Sequence, residues 1–285
     1  MTVITNINNT FESYQQLISL YHEHKIKNFD DIHIEIRDWF AANMCATLGA
    51  ILDAFQDNIN DIHIDYISPG IETIFQKNDF LTYFGYPRIV DNYHTTIRFL
   101  KLKPTDGKYF NAYVVEELIG RAELPKMSPL VKEKMAEAIY EIFVNAQIHS
   151  NSKHIYTCGQ FFPRDDKIEF TIVDVGIGFK RKINERFNSK LSSVQAIKWA
   201  TQDKNTTKIG VSGGIGLALL KEFTEINRGK MQIISDNGFY QYDAKGEQMH
   251  VFDNSFPGTI VNLQFRTNDS SSYVLKSEFD NMDIF

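Results

Sequence analysis

Apolar residues recur along this chain at two alternating periods. Phe11, Tyr14, Leu17, Ile18 and Tyr21 are spaced as on one face of a helix and predict one over residues 10–25. Ile32-His33-Ile34-Glu35-Ile36 then alternates strictly, as a strand with one buried face does. A run of small residues from Ala41 to Phe55 predicts a second helix, and Ile62-His63-Ile64-Asp65-Tyr66 alternates again. Pro69-Gly70 breaks the chain before a short helix containing Ile74 and Phe75. Thr95–Leu100 predicts another strand and Tyr109–Leu118 another helix. Alternating strand and helix over residues 1–122 imply a small α/β unit.

Gly120 to Ser128, with Pro125 inside it, forms the junction to a second unit, residues 123–268. Ser128-Pro129 is a strong helix start, because the hydroxyl caps free amides and proline at the first helical position loses nothing. Leu130, Met135, Ile139, Ile142, Phe143 and Ala146 then mark one face of a long helix ending near Ser150. Strand patterns follow at His154–Phe161 and Ile168–Asp174, then a polar, glycine-bearing stretch up to Gly216. A helix from Ile215 to about Ile226 stops at Asn227-Arg228-Gly229. Met231–Ser235, Met249–Phe252 and Thr259–Phe265 read as three more strands. This order predicts an α+β chain in which the second unit packs helices on one face of a mixed, largely antiparallel sheet. The polar tail, residues 269–285, carries no pattern that assigns it a structure.

Composition narrows the function classes. Hydrophobic residues make up 43% and charged residues 23% of 285 positions, enough to bury a core without staples. A formal net charge of −6 argues against a general nucleic-acid surface. Cys45 and Cys158 lack zinc-ligand spacing and read as small buried hydrophobes of a reducing compartment. No segment has the form of a secretory signal. The most apolar stretch, Phe40 to Phe55, is interrupted by Asn43 and Asp53 and is too short to span a bilayer. The expectation is a cytoplasmic protein without a membrane partner.

Three groups of residues carry chemistry. On the long helix Glu137, Glu141, Asn145 and His149 recur every four residues and form one stripe. A carboxylate one turn from a carboxamide suits magnesium-ATP chemistry: the amide oxygen is a hard, neutral Mg²⁺ ligand, and the carboxylate can orient an attacking water. Alone, such a stripe also fits a solvated helix face. Next, Asp174-Val175-Gly176-Ile177-Gly178 directly follows a strand. An aspartate there can receive the exocyclic amine of adenine and would repel the carbonyl of guanine, while glycines let the backbone approach a flat base. An ordinary strand-to-loop turn has the same residues. Last, Gly210-Val211-Ser212-Gly213-Gly214-Ile215-Gly216-Leu217 opens a helix, leaving amides free for an anion. It lacks the Lys-Ser/Thr of a P-loop and does not follow a strand as the dinucleotide fingerprint does.

In order, these elements resemble the GHKL ATPase superfamily of gyrase, heat-shock chaperone, histidine kinase and mismatch-repair ATPases. Glu141-x-x-x-Asn145-Ala146 looks like its N box, Asp174-x-Gly176-x-Gly178 its G1 box, and Gly213-Gly214-x-Gly216-Leu217 its G2 box. Gly258-Thr259 looks like the late threonine of the adenine site, so the match runs from Ser128 to Phe265. The resemblance implies a Bergerat-type α/β sandwich that binds ATP with Mg²⁺. It assigns Asn145 to Mg²⁺ and Asp174 to the adenine amine. Gly176, Gly178 and Thr259 would shape the base pocket; Gly213, Gly214, Gly216 and Leu217 would lie at the phosphates. Residues 179–212 would form a lid, in which Asn205-Thr206-Thr207-Lys208 could reach the γ-phosphate; Lys208 equally suits a solvated loop. Glu141 stands where hydrolysing members carry their base, and favours an ATPase. His149 stands where relatives carry an acid. The first unit is loosely similar to STAS-type modules, a likeness of fold only.

The expected activity is therefore ATP hydrolysis that orders the lid and changes contacts with a protein partner. A protein serine or histidine kinase using the same pocket, or a non-catalytic ATP sensor in bacterial stress or defence signalling, remain alternatives. No helix pair with a phospho-acceptor histidine precedes Ser128, which weighs against a histidine kinase. Homodimerisation is implied by the family alone.

Overall fold

A computed structural model describes residues 1–149, 151–202, 205, 216–275 and 278, with the side chain of His149 outside that set. The chain begins β1 (Thr2–Ile7), α1 (Phe11–His24), β2 (Asp31–Phe40), α2 (Cys45–Asp57), β3 (Asp61–Ile67) and α3 (Pro69–Lys77). The three strands are parallel in the order β1-β2-β3, as strand–helix–strand crossovers require. β1 escaped the periodicity reading because Thr2–Ile7 is short and half polar. Thr10 caps α1 by accepting the Ser13 N–H.

The second sheet has five strands in the order β4-β6-β7-β9-β8, antiparallel throughout: β4 (Thr96–Leu102), β6 (Ile155–Phe162), β7 (Lys167–Asp174), β9 (Gly246–Arg266) and β8 (Lys230–Asp243). β4, which lies before the Gly120–Ser128 junction, is thus an edge strand of the later sheet. Its outer edge is shielded locally: Glu117 accepts the Arg98 N–H at 3.0 Å, and the Asn78 carbonyl accepts the Phe99 N–H at 2.7 Å. β5 (Lys126–Met127) pairs with β10 (Ser272–Tyr273), so part of the tail folds back on the body.

Helices α4 (Gly107–Val114), α5 (Pro129–His149) and α8 (Gly216–Asn227) cover one face of the large sheet. Ser128 caps α5 by accepting the Val131 N–H at 3.1 Å, as its sequence predicts. Fully buried Ile139 and Phe143 lie in the same core as Phe170 and Ile172 of β7, each such burial stabilising by roughly 2–3 kcal/mol. The opposite face is not solvated. Phe11 of α1 stacks on Phe252 of β9 at 4.5 Å, and Tyr156, Val173, Ile234 and Ile260 share a core with α1, α2 and the parallel sheet. From one side to the other the layers run parallel sheet, helices, antiparallel sheet, helices. Cys45 and Cys158 meet in the middle layer, buried, with Asn78 Nδ2 donating to both sulfurs. Among the described residues no helix is long and apolar enough to cross a membrane.

Candidate functional site

β7 ends at Asp174, and its register with β9 sets Asp174 beside Thr259. The same register brings Thr259 against Ser235 of β8, with the two hydroxyl oxygens 3.3 Å apart. Ser235 Oγ also accepts the Phe179 N–H at 2.9 Å, tying the loop after Asp174 to the sheet end. Gly258 has φ +147°, and a Cβ there would lie 2.0 Å from the Asp174 carbonyl oxygen. Only glycine fits that close approach.

Asp174 is buried at 8% exposure, and its Oδ1 has no hydrogen-bond partner among the described residues. Loss of water pushes its carboxyl up to about 8. A buried polar atom without a partner is rare enough to ask for a ligand. Asp174 opens into a cleft whose apolar walls include Ile142, Ala146, Ile177, Ile183, Leu217 and Val261. Thr259 and Gly178 also line it. Gly178 sits so close to β8 that a Cβ would lie 2.6 Å from Ser235 Oγ and 2.7 Å from Asp236 Oδ2.

Glu141 and Asn145, one turn apart on α5, line the same cleft. Glu137, on the same stripe, instead pairs with Lys134 at 2.6 Å on the surface. The Glu141 carboxylate accepts the Gly216 N–H at 2.7 Å, so an anion already occupies the N-terminus of α8. A Cβ on Gly216 would lie 2.7 Å from Glu141 Oε2 and 3.0 Å from the Ala138 carbonyl oxygen, which is why α8 can start so near α5.

Glu141, Asn145, Asp174, Gly178, Leu217 and Thr259 are therefore gathered around one cavity, with Gly216 at its edge. Gly176 is not on its wall; it backs onto Gly258, where a Cβ would lie 2.8 Å from the Gly176 nitrogen. Lys208, Gly213 and Gly214 lie outside the described residues, as do Thr206 and Thr207. Asn205 lines the cleft and donates to the Trp199 carbonyl at 2.8 Å.

The polar stretch after Asp174 holds two helices that the sequence reading missed: α6 (Phe179–Phe187) and α7 (Ser193–Ala200). They supply Phe179, Lys182, Ile183 and Trp199 to the cleft, and Lys182 is its one Lys or Arg among the described residues. Two signals were present. Phe179, Ile183 and Phe187 recur every four residues, and Ser192 with Gln195 forms a capping box. Strong basic content, Lys180, Arg181, Lys182 and Arg186, masked the short apolar stripe.

No protein-family model matches the chain, and a search of curated proteins finds no significant match.

Proposed function

We propose that this chain binds Mg-ATP in the cleft and hydrolyses it in the manner of a GHKL-type ATPase. One observation carries the reading: a buried carboxyl with an unpartnered oxygen heads an apolar slot that has a carboxylate, a carboxamide and a helix N-terminus farther along its wall. The slot suits a flat heterocycle whose amine supplies Asp174 with its missing partner. Adenine's amine favours the ionised carboxylate, and against that ionised form guanine would present a carbonyl, so that two acceptors would face each other.

The polar part of the cleft suits a triphosphate. The first amides of α8 favour negative charge, and Glu141 now satisfies one of them. Phosphate at α8 competes for that amide, and the Glu141 carboxylate, on the cleft wall, is placed to accept a proton from water. Among the described residues no cluster of three or more His, Cys, Asp or Glu could hold a metal alone, so Mg²⁺ would enter with the nucleotide. Asn145 offers it a neutral oxygen, and the bound ion would neutralise charge on the phosphates. Lys182 on α6 adds a positive charge to the wall and gives the α6–α7 segment a reason to follow nucleotide state.

The test is phosphate release from Mg-ATP by the wild type and by Glu141→Ala, with binding measured in both. Removing a general base lowers turnover by roughly 10²–10⁴-fold while binding persists. Equal turnover in both proteins sinks the role of Glu141. Binding without turnover in either points to a sensor, and label transferred to protein points to a kinase.

A further inference from the structure

The connection from α5 to β6 includes residues 151–154, which lie next to the segment that follows Asp174. Within it Ser152 is buried at 7% exposure. Its hydroxyl accepts the Val175 N–H at 3.1 Å and donates to the His154 carbonyl. Val175 follows Asp174, so the bonded amide belongs to the peptide unit that carries the Asp174 carbonyl. Gly258 presses on that carbonyl from the other side. The orientation of Asp174 is thus fixed by a clamp with Ser152 as one jaw.

Helix α2 of the N-terminal unit holds this connection in turn. His154 Nδ1 lies 3.3 Å from Asp53 Oδ2, an ion-pair contact without a hydrogen bond, and Lys153 pairs with Asp57 at 2.9 Å at the surface. Asp53 also receives Lys101 and Tyr156. Burial raises the Asp53 carboxyl, but the hydrogen bonds from Lys101 and Tyr156 outweigh it and hold the group below the usual carboxylate range. A shallow surface pocket between α2 and the connection is lined by Asp53, Asp57, Ser152, His154, Tyr156 and Val175.

Resting on the ATP reading above, we propose that Ser152 is a positioning residue for Asp174 and that Asp53 of α2 holds it in place, so that the N-terminal unit sets the base preference of the cleft. Without the Ser152 hydroxyl the Val175 N–H is released, the peptide can rotate, and the Asp174 carboxyl loses its aim. A carboxyl that wanders still accepts hydrogen bonds, but it no longer separates an amine from a carbonyl at one fixed edge. The effect therefore falls on discrimination more than on fold.

The experiment uses the full chain as wild type, Ser152→Ala, Ser152→Thr and Asp53→Asn. Calorimetry gives Kd for Mg-ATP and Mg-GTP, hydrogen exchange without nucleotide follows the Val175 amide, and a melting curve reports the fold. Loss of one directing hydrogen bond predicts a fall of about tenfold in ATP-over-GTP preference for Ser152→Ala. Faster Val175 exchange accompanies it, with little change in Tm. Ser152→Thr keeps the hydroxyl and the preference; Asp53→Asn shifts both readouts the same way, by less. Wild-type ATP binding with an unchanged preference in Ser152→Ala overturns this proposal alone, as does loss of preference only in step with global unfolding. An unchanged Asp53→Asn overturns the role of α2. A wild type that binds no ATP overturns the ATP reading itself, and this proposal with it.

Discussion

Asp174 makes the sharpest prediction, because its burial acts on stability and on binding with separable signs. Its carboxyl is pushed from 3.8 to about 8 by loss of water alone. The folded chain therefore holds a proton on Asp174 through a pH range in which the unfolded chain has released it. Stability from this group is fully present below about pH 4 and is lost as pH rises toward about 8, after which it levels. At 1.36 kcal/mol per unit, a shift of about 4 units amounts to a ceiling of about 6 kcal/mol, lowered by any water that enters the cleft. Asp174→Asn keeps the shape and removes the titration. All other groups are common to both proteins and cancel in the difference. Urea denaturation at pH 5.5, 7.0 and 8.5 should show the variant gaining on the wild type by up to about 3 kcal/mol across that range. Parallel pH profiles would refute the buried, unpartnered state of Asp174.

Binding should carry the opposite sign. If the proposed ATP reading holds, the adenine amine would donate to the ionised carboxylate, so Mg-ATP should displace the proton and bind more tightly as pH rises to about 8. Below about pH 8 ATP binding should release a proton, read by calorimetry in two buffers of different ionisation enthalpy. Proton uptake, or none, would mean that the neutral acid makes the contact.

Two further substitutions test the frame around the site. Gly258→Ala puts a methyl 2.0 Å from the Asp174 carbonyl oxygen at φ +147°, and should cost several kcal/mol or prevent folding; a urea midpoint near wild type would show that the β9 turn is not as drawn. Asn43→Ala removes a fully buried amide that donates to Asn9 at 2.7 Å, Thr171 at 2.9 Å and Asn262 at 3.2 Å, and should destabilise by about 3 kcal/mol, with a loss under 0.5 arguing that water replaces it.

What the sequence disclosed follows from how local each signal was. The α2, α5 and α8 helices and the alternating β2 and β3 strands announce themselves because every residue of the signal lies within one element. Glu141, Asn145 and Asp174 could be named in advance as candidates, since each sits at a helix face or strand end with recognisable neighbours; Thr259 was a candidate only through the resemblance. β4 was legible as a strand but not as a member of the second sheet, because sheet order is set by long-range pairing with β6. Lys182 and Trp199 stayed hidden because their helices are short and their polar residues dominate any window. Ser152 was invisible for a different reason: its partner, Val175 N–H, is a backbone group with no side-chain signature.

The relation between the two units follows from the rear face of the large sheet. That face carries Thr171, Asn262, Gln232 and the fully buried Glu169, an unusual polar set for the middle of a core. Asn262 donates to Glu169 at 2.8 Å and Lys167 lies 3.4 Å from it, but closure of the network needs the other unit: Asn43 bonds Thr171 and Asn262, and the Asn9 carbonyl accepts from Gln232 at 3.0 Å. Around it lie Val173, Ile234 and Ile260, which are fully buried only because α1 and α2 cover them. A partly satisfied buried network is worse than an apolar one, so these polar groups tolerate one docking of the first unit and penalise displaced ones. The N-terminal unit is in this sense half of the core rather than an appendage. Cleft residues on β7 and β9 stand on strands whose rear side chains are fixed by α1, α2 and the turn at Asn43. Any ligand that shifts the first unit must therefore disturb the strands that carry Asp174 and Thr259, and any nucleotide that tightens them must be felt in the first unit.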